Sequence, residues 1–121
     1  MRLALRLILP GAIAALTLVA CAGNANAPAA STGAAPAATV SMKGFAFAPT
    51  ALTVAKGTTV TFTNGDAAAH TVTSGANGTK DGKFDRQVAA GASTTVTFDT
   101  AGTFDYFCTI HASMKGTITV Q

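Results

Sequence analysis

The sequence predicts an all-β domain, a two-sheet sandwich with Greek-key connections, and three features of the chain support this prediction. From Thr39 onward, apolar and polar side chains alternate with a period of two, as they do along a strand buried on one face. The same region is rich in the β-branched residues Val and Thr. It contains no ten-residue stretch with helical periodicity. Seven or eight short strands separated by turn residues favour a sandwich.

Each predicted strand is a short run in which alternate residues are apolar. The pattern is clearest in residues 58–64, where Val60 and Phe62 point one way and the intervening threonines point the other. Around Phe84 and Val88 the alternation is weak, and we expect only a short irregular piece there. The residues that share a face in the predicted strands are Val40 and Met42; Leu52 and Val54; Val60 and Phe62; His70, Val72 and Ser74; Thr94, Val96 and Phe98; Phe104, Tyr106 and Cys108; and Ile118 and Val120.

Residues 1–21 are predicted to be an export signal rather than part of the fold. Two arginines precede an apolar stretch over residues 7–20, which is the layout of a secretory signal peptide. The stretch is shorter than the about 20 apolar residues that span a membrane. Its end, Leu-Val-Ala-Cys, resembles the lipobox of bacterial lipoproteins, in which the cysteine is acylated and becomes the mature N-terminus. We therefore expect an exported protein anchored by lipid on Cys21 to the extracytoplasmic face of a membrane; the alternative is ordinary cleavage nearby.

The rest of the chain divides into a tether and one folded domain. Residues 22–38 consist almost wholly of Ala, Gly, Asn, Pro, Ser and Thr, which cannot bury enough surface to fold, so we interpret them as a flexible linker. Residues 39–121 are long enough for a single small domain. Its six basic and five acidic side chains are scattered and form no basic stripe, which argues against a nucleic-acid partner.

A Cys-x2-His-x2-Met run near the C-terminus can present three metal-binding atoms from one tight loop. Its members are Cys108, His111 and Met114, and the only other histidine, His70, stands at the start of a predicted strand that can pair alongside. Lipid on Cys21 would leave Cys108 without a disulfide partner. A surface histidine, a packing methionine or an inert buried cysteine would each be the plainer explanation of one residue alone. Their joint placement at strand ends instead favours a metal site.

The residue types of this predicted site indicate copper. Two histidines and one cysteine in a plane, with a weakly bound methionine, are the ligands of a blue-copper electron-transfer site. Thiolate and thioether suit Cu(I), and imidazole suits both oxidation states. Zinc could bind the same thiolate and imidazoles, but it makes little use of a thioether. We predict one copper ion per chain, held by His70, Cys108, His111 and Met114.

These residues resemble the cupredoxin family, particularly its plastocyanin, amicyanin and pseudoazurin members, over residues 39–121. Residues 47–64 are similar to the first half of the family's domain. Residues 66–70 end where the family places its first histidine ligand, and residues 102–108 resemble the strand that delivers the copper cysteine. The resemblance implies an eight-stranded Greek-key sandwich and one-electron transfer between protein partners.

The predicted site agrees with that family in one detail and departs from it in another. The two-residue gap between His111 and Met114 is similar to that of amicyanins. Thr71 follows His70 where plastocyanins and amicyanins usually carry Asn. The resemblance implies that the backbone N–H at this position donates to the copper thiolate, and the threonine hydroxyl can help to tie the two ligand loops together.

Two functions of different classes are compatible with such a site. The first is a monomeric electron shuttle that contacts its redox partners through small apolar residues around His111. The second is copper storage or delivery without redox turnover, which the absence of a His-rich or Met-rich tract disfavours. We expect no enzyme activity, because four protein ligands leave no open position for a substrate. The residues expected to frame His111 are Ala67, Ala68, Ala69, Ile110 and Ala112.

Overall fold

The computed structural model describes residues 36–121, which form nine β-strands and no helix. The expectations for the export signal, for Cys21 and for most of the linker lie outside the described residues. Within residues 36–121, no helix is long and apolar enough to cross a membrane. The strands are β1 (Ala37–Met42), β2 (Phe47–Ala48), β3 (Ala51–Val54), β4 (Thr58–Asn64), β5 (His70–Ala76), β6 (Thr79–Val88), β7 (Ser93–Phe98), β8 (Gly102–Phe107) and β9 (Lys115–Val120).

The strands form two sheets, each of which mixes parallel and antiparallel neighbours. The four-stranded sheet has the order β2-β1-β4-β7, with β1 parallel to β4. The five-stranded sheet has the order β3-β9-β8-β5-β6, with β3 parallel to β9. Because spatial neighbours are often distant in sequence, the chain passes repeatedly between the sheets, as in a Greek-key sandwich. The predicted all-β sandwich is confirmed.

Strand β4 shows how the alternating sequence produces the core. Val60 and Phe62 are fully buried, whereas the threonines that alternate with them, Thr59, Thr61 and Thr63, are half-buried or exposed. The strand lies between β1 and β7, and Val60 pairs directly with Val96. The buried apolar residues of the core are Val40, Met42, Phe47, Val54, Val60, Phe62, Val72, Phe84, Val88, Val96, Phe98, Tyr106, Cys108, Met114, Ile118 and Val120.

Strand β6 extends over ten residues, where the sequence predicted only a short irregular piece. Only Phe84 and Val88 of this strand are buried, because β6 is an edge strand that pairs with β5 alone. The pairing also shifts register between Thr73 and Gly75 of β5. A shift of this kind interrupts the alternation of facing residues. The edge position and the shift together explain why the period of two is not visible in the sequence of β6.

Two smaller differences lie near β1. This strand begins inside the predicted linker, because Ala37 and Ala38 pair with Thr59 and Val60 of β4. Ala38 also packs against the core, so neighbouring strands order residues whose own composition favours disorder. Strand β2 was not predicted, because it is only two residues long and therefore shows no period. With β2, the sandwich has nine strands rather than the seven or eight expected.

A tight contact joins β8 and β9 just beyond the predicted ligand loop. Tyr106 pairs with Gly116, and a Cβ atom at position 116 would overlap the Cζ and hydroxyl oxygen of Tyr106. The tyrosine ring packs edge-on against Phe47 and Phe62, with centroid distances of 4.8 and 5.5 Å. Its hydroxyl has no hydrogen-bond partner among the described residues, and burial raises the pKa of Tyr106. Position 116 therefore has room only for glycine.

Candidate metal centre

Three of the four predicted ligands meet at one end of the sandwich. Cys108 Sγ lies 3.9 Å from His70 Nδ1 and 3.8 Å from His111 Nδ1. The two Nδ1 atoms are 3.1 Å apart. Cys108 and His70 are fully buried, whereas His111 is half-buried. Within residues 36–121, His70, Cys108 and His111 form the group of metal-binding side chains that is compact enough to hold an ion.

The pairing of β5 with β8 explains why His70 and Cys108 are neighbours. The two strands are antiparallel, and Thr73 pairs with Phe107. The beginning of β5 therefore lies beside the end of β8. His70 is the first residue of β5, and Cys108 follows the last residue of β8. Residues 38 positions apart in sequence thus present their side chains to the same point.

The loop over residues 108–114 is closed by two backbone hydrogen bonds. The N–H of Cys108 donates to the carbonyl of Met114 over 3.0 Å, and the N–H of Met114 donates to the carbonyl of His111, also over 3.0 Å. Met114 is buried in the same core cluster as Cys108. The spacing of three and three residues therefore produces a compact turn, as predicted. It places the fourth predicted ligand inside the protein rather than at the surface.

Asp66 orients the His70 ring from the side opposite the cluster. Its Oδ2 lies 2.9 Å from His70 Nε2, and an ionised carboxylate can only accept a hydrogen bond, so Nε2 carries the proton. His70 Nδ1 is then left with a free lone pair that faces the other two ligand atoms. Hydrogen bonds from the backbone N–H groups of Phe45 and Gly44, and a further one from His70, hold the pKa of Asp66 below its usual range.

The sulfur of Cys108 accepts a hydrogen bond from the backbone N–H of Thr71 over 3.3 Å. The Thr71 hydroxyl oxygen accepts a second one, from the N–H of Thr109, over 2.8 Å. The hydroxyl of Thr73 lies 3.0 Å from that of Thr71 and 2.8 Å from Asp85 Oδ1. Both roles expected of Thr71 are therefore present, because the backbone N–H reaches the thiol and the hydroxyl ties the two ligand loops.

Asn64 shapes the loop before His70, a role that the sequence analysis did not assign. Its side chain is buried, and Nδ2 lies 2.8 Å from the carbonyl oxygen of Ala68 and 3.1 Å from those of Val88 and Ala89. Its Oδ1 accepts a hydrogen bond from the N–H of Asp66. The only available signal was the position of Asn64 at the end of a strong strand pattern, which does not reveal these long-range partners.

Phe45 covers both imidazoles and was also missed. It lies in the turn between β1 and β2, is 50% exposed, and has a left-handed backbone with φ of 58°. Its ring centroid is 4.9 Å from that of His111 and 5.6 Å from that of His70, with edge-on geometry in both pairs. An isolated aromatic residue beside a glycine gives no sequence signal for such a contact.

The residues expected to frame His111 are mostly accessible. Ile110 is 52% exposed, and Ala67 and Ala112 are exposed as well. Ala68 and Ala69 are half-buried in the loop that leads to His70. The two large apolar side chains exposed within residues 36–121 are Ile110 and Phe45. Both belong to segments that carry or cover the histidine rings.

Sequence comparison relates this chain to copper proteins. The sequence model described as "Copper binding proteins, plastocyanin/azurin family" matches residues 34–121. A plastocyanin from Scenedesmus fuscus is 54% identical over 52 residues, which are 41% of this chain and 53% of that protein. This alignment therefore spans about half the length of the plastocyanin.

Structural comparison gives the same relationship. A purple cupredoxin from Nitrosopumilus maritimus has a TM-score of 0.64 and 26% identity, covering 69% of this chain and 99% of that one. An amicyanin variant in its Cu(I) form has a TM-score of 0.64 and 31% identity, covering 73% and 85%. A copper-containing nitrite reductase from Thermus scotoductus has a TM-score of 0.62 and 31% identity, covering 71% of this chain and 22% of the reductase.

Proposed function

Because the chain belongs to the plastocyanin/azurin family of copper-binding proteins, we propose that it is a type 1 copper electron-transfer protein. Its single copper ion would be held by His70, Cys108, His111 and Met114. The observation that carries the proposal is the convergence of one sulfur and two imidazole nitrogens within 4.8 Å of one another. The fourth residue, Met114, is buried at the end of the same hydrogen-bonded loop.

The donor atoms of this cluster fit copper. One thiol sulfur and two imidazole nitrogens are the strong donors of a blue-copper site. The proton on His70 Nε2 leaves Nδ1 free to bind a metal, and the carboxylate of Asp66 behind the ring makes that nitrogen a better donor. The N–H of Thr71 stabilises negative charge on the sulfur of Cys108. Copper bound here would alternate between Cu(I) and Cu(II) and so store one electron.

The fold supports rapid electron transfer by holding the ligands still. His70 is fixed by Asp66, and residues 108–114 are closed by their own backbone hydrogen bonds. The two ligand segments are tied to each other through the hydroxyl of Thr71. Ligands fixed in this way by their surroundings move little when the metal changes its oxidation state. A small rearrangement keeps the barrier to transfer low.

We place the contact with redox partners at the surface around His111, the half-buried ligand. Ile110, Ala67 and Ala112 supply exposed apolar area there. A small apolar contact suits a carrier that must release its partner quickly. We further propose that the protein acts as a monomer outside the cytoplasm, attached to a membrane through lipid on Cys21.

The proposed role is that of a carrier rather than an enzyme. The similarity to nitrite reductase covers 22% of that enzyme, so it concerns one domain of a larger protein. The four proposed ligands would leave no coordination position for a substrate. Copper storage or delivery is the competing function, and it requires that the ion be released readily.

Voltammetry of the copper-loaded protein distinguishes the carrier from the storage protein. We expect a reversible one-electron wave, and copper that stays bound through many redox cycles in the presence of a Cu(I) chelator. A protein that lost its copper to the chelator on the first reduction would be a storage or delivery protein, and the proposed electron-transfer function would be wrong.

A further inference from the structure

The carboxylate of Asp66 links the metal centre to the turn between β1 and β2. Its Oδ1 accepts a hydrogen bond from the N–H of Gly44 over 2.7 Å, and its Oδ2 accepts one from the N–H of Phe45 over 3.0 Å. The same Oδ2 accepts the proton of His70 Nε2 over 2.9 Å. One side chain therefore holds a surface turn and a proposed copper ligand at the same time.

The backbone of this turn suits the carboxylate and Gly44, but it strains Phe45. Gly44 and Phe45 have φ values of 62° and 58°, both in the left-handed region. Successive N–H groups in such a turn point into one concavity and bind an anion there. For Phe45 the conformation is strained, and such strain persists where the surroundings impose it. The two hydrogen bonds to Asp66 are an interaction that imposes it here.

The strained turn places the ring of Phe45 across the edges of both imidazoles. Its centroid lies 4.9 Å from that of His111 and 5.6 Å from that of His70. An aromatic ring in this position keeps water from part of the site. Asp66 thus affects the histidines in two ways. Its carboxylate places a negative charge beside His70, and its hydrogen bonds hold the ring of Phe45 over both imidazoles.

We propose that Asp66 is a positioning residue that lowers the reduction potential of the copper site through its charge on His70, while Phe45 raises it by excluding water. The inference rests on the proposed function. A site of one thiolate and two neutral imidazoles is cationic with Cu(II) and neutral with Cu(I). A nearby carboxylate therefore favours Cu(II), and so does access of water. The two residues oppose each other, although one holds the other in place.

The test compares the reduction potentials of Asp66→Asn and Phe45→Ala with that of the wild-type chain. We expect Asp66→Asn to shift the equilibrium between Cu(II) and Cu(I) toward Cu(I) by about tenfold, which raises the reduction potential by about 59 mV for one electron. Phe45→Ala should shift it in the opposite direction. If Asp66 served only to hold the turn, both variants would lower the potential. That result, or an unchanged potential in Asp66→Asn, would overturn the inference while leaving the copper function intact.

Asp81→Asn is the matched control. Asp81 also accepts a backbone N–H, that of Lys83, and its removal changes the charge equally, but its partners lie outside the metal centre. The reduction potential of the Asp81→Asn variant should equal that of the wild type. A shift as large as that of Asp66→Asn would show a general charge effect and refute a specific role for Asp66.

A measurement on the copper-free protein separates this inference from the proposed function. Nitrogen NMR of His70 should show the proton on Nε2 in the wild type and a mixture of tautomers in Asp66→Asn. The amide signals of Gly44 and Phe45 should move in the same variant. Unchanged tautomer and amide signals would refute the link through Asp66 even if the wild type failed to bind copper.

Discussion

Replacing Thr71 by Val tests how the two ligand segments are held together. Valine keeps the branched shape and the backbone N–H, so the hydrogen bond to Cys108 Sγ should survive. The substitution removes the hydroxyl that accepts from the N–H of Thr109 over 2.8 Å and lies 3.0 Å from the hydroxyl of Thr73. The copper site should therefore keep its colour while the protein loses stability.

The Thr71 hydroxyl also lies 3.2 Å from that of the exposed Thr109, where water can replace it, so the size of the loss follows from the two shorter hydrogen bonds. Each contributes about 1 kcal/mol net, so the free energy of unfolding of the copper-free protein should fall by about 2 kcal/mol. Thr109 is exposed, so water can replace part of its lost bond and the penalty for an unsatisfied group does not apply in full. For a domain of this size, about 2 kcal/mol lowers Tm by about 8–16 °C.

Urea unfolding of the copper-free protein measures the change, and Thr59→Val is its control. Thr59 also bonds another threonine hydroxyl, that of Thr97 over 2.9 Å, but on an exposed face, where the loss should stay below about 0.5 kcal/mol. An unfolding free energy of Thr71→Val within 0.5 kcal/mol of the wild type would contradict the proposed tie, as would loss of the copper colour.

Three further substitutions test separate parts of the structure. Gly116→Ala should destabilise the protein by about 3 kcal/mol, because the new Cβ overlaps Tyr106. The control Gly65→Ala, whose Cβ has contacts of 3.5 Å or more, should cost less than about 1 kcal/mol. Equal losses of stability in the two variants would refute the packing argument. Met114→Leu should keep copper but raise the reduction potential, since a weak donor to Cu(II) is lost, and an unchanged potential would mean that Met114 only packs. Cys21→Ser should release the protein from the membrane fraction, and mass spectrometry that finds unmodified Cys21, or a mature N-terminus beyond it, would rule out the anchor.

The sequence predicted those parts of the fold in which one strand face meets the core. Strand β4 has the same bounds in the sequence prediction and in the structure, because Val60 and Phe62 alternate with threonines over its whole length. Strand β6 was predicted only as a short irregular piece, because an edge strand with two buried side chains carries almost no apolar pattern. Strand β1 begins earlier than predicted, because pairing with β4, not composition, orders Ala37 and Ala38.

The candidate site was predictable to the extent that its chemistry depends on rare residues. Two histidines and Cys108 stand out in a chain with few of either, and the spacing of His111 and Met114 indicates a loop. Asp66 and Phe45 could not be recognised, because aspartate and phenylalanine occur in many roles. Their function here depends on contacts between residues more than twenty positions apart. Such contacts exist only once β1 has paired with β4, because the pairing of Met42 with Asn64 brings the segments after these two strands together.

The visible spectrum of the purified protein during titration with Cu(II) tests the central claim most directly. We predict an intense colour from charge transfer between the sulfur of Cys108 and copper, which saturates at one ion per chain. Cys108→Ser should fold but remain colourless. A wild-type protein that folds and stays colourless with Cu(II), or a Cys108→Ser variant with the same colour, would contradict a thiolate-bound copper at this site.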